Sequence, residues 1–84
     1  MNFTSDEEQL IRFETELIEA TIKAREEANL TQRELSELSG VKQPSIAKLE
    51  RLNRVPQIST LIKLLYPLGY TLSIVPIKGK NKKI

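Results

Sequence analysis

The residues best equipped for chemistry in this 84-residue chain stand between Gln32 and Arg54. Lys42, Gln43, Pro44 and Ser45 make a polar, rigid first turn for an expected helix, and Lys48, Arg51, Asn53 and Arg54 follow it. A glutamine amide carries a donor and an acceptor side by side, the pattern that matches adenine N6/N7. Lys48, roughly one helical turn beyond Gln43, can reach guanine O6/N7 or a phosphate. Arg51 and Arg54 suit phosphate oxygens, where they add affinity but no sequence information. Pro44 costs little early in a helix, where its missing N–H has no intrahelical partner, and its flat ring can meet a thymine methyl. Ile46 and Leu49 form the apolar back. The chemistry on offer is recognition of nucleic acid.

Bond-making chemistry has little to work with. The chain holds no histidine and no cysteine, which removes the commonest general base, the commonest metal ligand and any disulfide. Its carboxylates are spread along expected helical faces, not paired in a pocket, so no enzymatic role, no metal and no cofactor are expected. The length suits one domain, which buries roughly 60% of its unfolded surface. No apolar run reaches the roughly 18 residues of a membrane span, and the N-terminus lacks a signal-peptide pattern. A soluble, cytosolic protein is expected.

The net charge of +2 conceals an asymmetry. Residues 1–20 carry six acidic side chains against Arg12 alone, a net of −5; residues 21–84 carry twelve basic and five acidic ones, a net of +7. An acidic head on a basic body suggests two partners of opposite charge. The alternative is that acidic first turns simply suit a helix N-terminus.

The elements that must position these groups are mostly helices. Ser5 with Glu8 reads as an N-cap and capping box, opening a helix that meets no Gly or Pro before about Ala28, with Asn29 as its stop. Thr31 with Glu34 opens a second helix, Leu35 and Leu38 give it an apolar face, and Ser39-Gly40 ends it. The third runs from Gln43 to about Leu52 and closes at Asn53. Pro56 and Gln57 introduce a fourth, with Ile58, Leu61, Ile62, Leu64, Leu65 and Leu68 expected on its buried side. Pro67 should kink or finish it near Tyr66, and Gly69 should break it. Beyond Gly69 the period changes to that of a strand, with Tyr70, Leu72 and Ile74 on one face, and residues 78–84 form a flexible basic tail. Two short helices joined by a tight turn at Gly40 make a helix-turn-helix, whose second helix enters the major groove by its N-terminal end.

The run LTQRELSELSGVKQPSIAKLE resembles the phage-repressor type of helix-turn-helix, the Xre-like domains. Its marks are Thr31-Gln32, Leu35, Gly40-Val41, Ile46, Leu49 and Glu50, within a match covering about residues 17–69. The resemblance implies a mainly α, lambda repressor-like bundle of four to five helices, to which the alternation after Gly69 adds one C-terminal β-strand, expected to be used for dimerisation. It implies that Gln32 and Gln43 cooperate over a base and a phosphate, and that Arg25 and Glu50 form a structural ion pair. The expected DNA-contacting set is Gln32, Arg33, Lys42, Gln43, Pro44, Ser45, Lys48, Arg51, Asn53 and Arg54. Leu52 stands where the family often has glycine, so the loop from Leu52 to Val55 can take its own path.

The C-terminal pattern LLYPLGYTLSIVPIK resembles antitoxins of bacterial toxin–antitoxin modules, of the HigA type and also the HipB type. That resemblance implies a DNA-binding repressor of its own operon that also neutralises a partner toxin, a small basic mRNA endonuclease, in the bacterial cytoplasm and at the nucleoid. The alternative is a stand-alone Xre-family repressor without a toxin partner. The corresponding organisation is an acidic helical extension at 1–16, the helix-turn-helix domain at 17–69, a dimerisation strand at 70–77 and the basic tail at 78–84. On a helical wheel Leu10, Phe13, Leu17, Thr21, Ala24 and Ala28 make one stripe, expected to face the core, and Ile11, Ile18 and Ile22 make a second, roughly 100° round. The second stripe, with its acidic flanks, is the expected toxin surface: Glu7, Ile11, Glu14, Ile18 and Ile22. Its competing role is to pack under the C-terminal segment. Tyr70, Leu72 and Ile74 are expected at the joint of a homodimer on palindromic operator DNA, because a lone strand leaves backbone groups that need another chain.

Overall fold

The computed structural model describes residues 3–51 and 55–76. Over them the chain forms α1 (Phe3–Glu27), α2 (Gln32–Ser39), α3 (Gln43–Glu50) and α4 (Ile58–Leu65), followed by a short 3-10 turn, Tyr66–Leu68. None of these helices is long and apolar enough to cross a membrane.

The ends of the helices follow local chemistry. Asn29 takes a left-handed conformation (φ 59°), which a short polar side chain tolerates, and its N–H donates to Glu26 O at 2.9 Å to close α1. Thr31 then caps α2: its hydroxyl accepts from Glu34 N at 3.0 Å while the Glu34 carboxylate accepts from Thr31 N at 2.8 Å. Gly40, at φ 80°, ends α2 with its N–H on Ser36 O, a conformation that disfavours any residue with a Cβ. Lys42 stands before α3 without a side-chain cap, and Pro44 sits in the first turn. Pro67 stops α4 as expected, converting its end to the 3-10 turn, and Gly69 (φ 89°) turns the chain away. At the other end the structure corrects the expectation. With no Gly or Pro to interrupt it, α1 already runs from Phe3, so Ser5 lies inside the helix and does not cap it.

The core gathers Ile18, Leu35, Ile46, Leu49, Leu61 and Leu64, with Ile22, Leu30, Val41, Leu68 and Leu72 packed against it. Each helix contributes one narrow stripe. In α4 it is Leu61, Leu64 and Leu65, continued by Leu68 of the 3-10 turn, spaced i, i+3, i+4, i+7. Ile58 and Ile62, expected on that side, are exposed, because the stripe centres away from them and a short helix turns only one face inward. In α2 the inward stripe is Gln32, Leu35, Ser36 and Ser39, which leaves Leu38 exposed on its flank.

The two stripes of α1 do not divide between core and surface as expected. Ile18, Thr21, Ile22 and Arg25, again at i, i+3, i+4, i+7, face the core. Thr21 is buried there because its hydroxyl donates to Leu17 O at 2.8 Å. Leu10, Phe13 and Leu17 are 58%, 44% and 39% exposed, and of their expected core face only Thr21 and Ala24 are buried. The same rotation brings Arg25 to Glu50 of α3. A stripe containing Thr and Arg looks less apolar than its neighbour, yet it is the one that packs.

Residues 70–76 run on without regular structure, and no ladder forms among the described residues. A strand at this position needs a neighbour to pair with, and the described residues supply none. Leu72 packs against the chain's own core, whereas Tyr70 is half-exposed and Ile74 almost wholly so. The basic tail expected at 78–84 lies outside the described residues.

Candidate nucleic-acid interface

The local sequence builds a helix that shows one side and hides the other. Ile46 and Leu49 are buried at 0% and 3% exposure, fixing the back of α3 against the core. Lys42, Gln43, Pro44 and Lys48 are exposed, as is Arg51 just past the helix. The turn holding α3 to α2 is short and bonded: Val41 N donates to the Ser39 hydroxyl at 3.1 Å, and Val41 itself packs on the core. Ser45 N and Ile46 N both donate to Lys42 O, so the first turn is a rigid unit. Its exposed charges are all positive, since the single carboxylate of α3, Glu50, faces inward.

Glu50 is the hub of the arrangement. Arg25 grips it with two parallel bonds, Nε to Oε2 at 2.7 Å and Nη2 to Oε1 at 2.9 Å. The remaining guanidinium nitrogen donates to Leu30 O at 2.7 Å, so the pair ties the end of α1 to α3 and to the start of the following turn. The two side chains are 13% and 11% exposed. The hydrogen bond to Glu50 raises the Arg25 pKa above its ordinary value, partly opposed by burial. Gln32, at the start of α2, donates from Nε2 to Glu50 Oε1 at 2.9 Å.

The structure thus holds three helices at one carboxylate. The ion pair expected from the sequence is present, and the third arm is new. Gln32 was expected to cooperate with Gln43; here its amide nitrogen is engaged by Glu50. No spacing rule links residues 18 positions apart, which is why the sequence carried no signal for it.

The other expected contacts divide. Arg33 is exposed and sits 3.8 Å from Glu37 one turn on, a surface pair worth little and easily released. Ser45 is half-buried and lines, with Leu49, Gln57 and Thr60, a small cavity, so it is less available than the residues before it. Asn53 and Arg54 lie outside the described residues, as does the expected end of α3 at Leu52.

The expected partner surface on α1 also divides. Glu7 and Ile11 are exposed and Glu14 is half-buried. Ile18, however, is 3% exposed in the core, and Ile22 packs against it. Ile18 is therefore closed to another protein in this fold, and Ile22 offers only its half-exposed edge. Among the described residues no group of three or more metal-ligating side chains comes together.

Comparison with known proteins agrees with this geometry. The profile of the helix-turn-helix family matches residues 22–75. An uncharacterized HTH-type transcriptional regulator of Haemophilus influenzae is 46% identical over 79 residues, covering 94% of this chain and 81% of the relative. Among solved structures, one described as a toxin–antitoxin module from Streptococcus pneumoniae superposes with a TM-score of 0.67 at 35% identity, covering 92% of this chain and 83% of that one.

Proposed function

Since the chain belongs to the helix-turn-helix family, we propose that it is a DNA-binding transcription regulator, and more finely the antitoxin of a HigA-type toxin–antitoxin module. The observation that carries the first part is the exposure of Lys42, Gln43 and Lys48, with no acidic neighbour on α3 facing solvent, on a helix whose back is locked by Ile46, Leu49 and Glu50. In this reading α3 enters the major groove, Gln43 reads a base, and Lys42, Lys48, Arg51 and Arg33 meet phosphates or base edges. Asn53 and Arg54 belong to the same proposed surface. Two copies bind a palindromic operator, joined in part by antiparallel pairing of residues 70–75 through Tyr70, Leu72 and Ile74.

Gln43→Ala is expected to weaken operator binding by roughly 1–3 kcal/mol and to relax preference at one base pair per half-site. Arg51→Ala should weaken all sequences alike and lower the salt slope by about one ion. Titrations of operator and random duplexes at several salt concentrations read both. Unchanged discrimination by the Gln43 variant would remove α3 as the reading helix.

The antitoxin part is supported by the likeness to the Streptococcus pneumoniae toxin–antitoxin module and by the acidic head. The proposed partner is a small basic mRNA endonuclease, held by Glu7, Ile11 and Glu14 on the protruding half of α1. Co-expression with a basic protein encoded beside this gene, followed by co-purification, tests it. Ile11→Lys with Glu14→Lys should then abolish capture and spare operator binding, because Ile11 is 60% exposed and its loss does not open the core. Capture undiminished by that double change would remove this surface.

A second reading, a stand-alone repressor, is favoured by the likeness to the Haemophilus influenzae regulator. The same co-purification separates the two.

A further inference from the structure

One apolar face of α1 is left largely uncovered by the described residues. Leu10, Phe13, Leu17, Ala20 and Ala24 recur at alternating steps of three and four, the seam spacing of paired helices. The face lies roughly 100° round the helix from Glu7, Ile11 and Glu14. Its two ends differ in shape. At the N-terminal end Leu10 and Phe13 stand out into solvent. At the C-terminal end the small Ala20 and Ala24 form the floor of an open groove of about 460 Å³, walled by Leu65, Tyr70 and Leu72. Large side chains and a recess to receive them are thus present on the same surface, which is what a two-fold, self-complementary contact requires.

The charges beside the seam select the same occupant. Glu16 and Lys23 flank it, seven residues apart on one side of the helix; both are exposed, and among the described residues neither forms an ion pair. An antiparallel copy of α1, centred between residues 18 and 19, sets Leu17 over Ala20 and Phe13 over Ala24 of the second copy. In that register Glu16 of each copy meets Lys23 of the other, twice. A basic protein laid in the groove would meet Lys23 with like charge.

We propose that this face takes α1 of a second copy, antiparallel across a two-fold axis, with Phe13 of each copy seated in the Ala20–Ala24 groove of the other. The proposal rests on the dimeric reading above and adds α1 to its joint. Tyr70 and Leu72 wall the groove and also begin the segment proposed to pair, so the helical and extended contacts are continuous. One two-fold axis makes both antiparallel.

Sedimentation equilibrium on the full chain tests it, with helicity recorded for each variant. Phe13→Asp is expected to leave a folded monomer at concentrations where the parent is dimeric. Glu16→Lys and Lys23→Glu should each weaken the dimer about tenfold, by exchanging two attractions for two repulsions, and E16K/K23E together should restore it. A Phe13→Asp protein that dimerises as the parent does overturns the proposal, and loss of basic-partner capture in that dimer assigns the face to the partner instead. Failure of the charge exchange to restore association overturns the antiparallel register, and needs no variant at Phe13. A parent chain that stays monomeric at about 100 µM, far above working concentrations for a specific dimer, overturns the dimeric reading itself.

Discussion

Ile18→Lys is expected to unfold the domain, while Leu10→Lys on the same helix leaves it folded. Ile18 is 3% exposed among Leu35, Ile46 and Leu61, so a lysine there loses the apolar burial and strands an ammonium in the core. Changes of that kind cost about 4 kcal/mol or more, against a total of roughly 4–13 kcal/mol for a chain of this length. Leu10 is 58% exposed within one chain, so its replacement should shift the stability of the monomer by no more than about 0.5 kcal/mol at concentrations below self-association. Urea denaturation of both variants measures the contrast. The reverse order of stabilities would mean that α1 is rotated and that its other stripe faces the core. The pair of results also decides how any loss of partner binding by an Ile18 variant is to be read, because an unfolded protein binds nothing.

The next largest effect is expected at Glu50. Glu50→Ala removes both acceptors of Arg25 and the acceptor of Gln32, leaving a nearly buried guanidinium with only Leu30 O. Breaking a pair buried this far costs about 3 kcal/mol, mostly because the remaining charge is left uncompensated. Replacing both partners, Arg25→Met with Glu50→Leu, should recover most of the loss, because the desolvated charges go together. A thermodynamic cycle over the four proteins measures the coupling. A Glu50→Ala variant as stable as the parent would show that the hub adds nothing to the fold. Arg25 should play no part in any pH response near neutrality. Its folded pKa lies above its ordinary value, so the stability it adds is complete below that value and is lost only as pH rises through the folded one, in strong alkali. The double replacement also frees Gln32, which makes it a probe of whether that amide must be held for operator binding.

What could be read from the sequence alone is what short-range chemistry settles. The Thr31–Glu34 capping box, the left-handed stops at Asn29, Gly40 and Gly69, and the break at Pro67 each involve groups within a few residues of one another. The composition and position of the first turn of α3 were legible for the same reason, and with them the nature of the surface it presents. Ser5 misled because a good capping residue does not by itself stop a helix from starting earlier.

The tertiary structure decided which side of each helix turns inward. Periodicity supplies two apolar stripes on α1 and cannot choose between them. The chosen stripe carries Ile18 and Ile22 into the core and, on the same side, Arg25 to Glu50 25 residues away, a contact that lies beyond the reach of any local pattern. Leu38, Ile58 and Ile62 are exposed for a related reason: short helices around a small core each bury one narrow stripe, and hydrophobicity alone does not mark its centre. The role of Gln32 was hidden because its partner lies on another helix. Residues 70–75 have the alternation of a strand but form none among the described residues, because a strand is defined by the neighbour that supplies its hydrogen bonds and alternation does not name that neighbour.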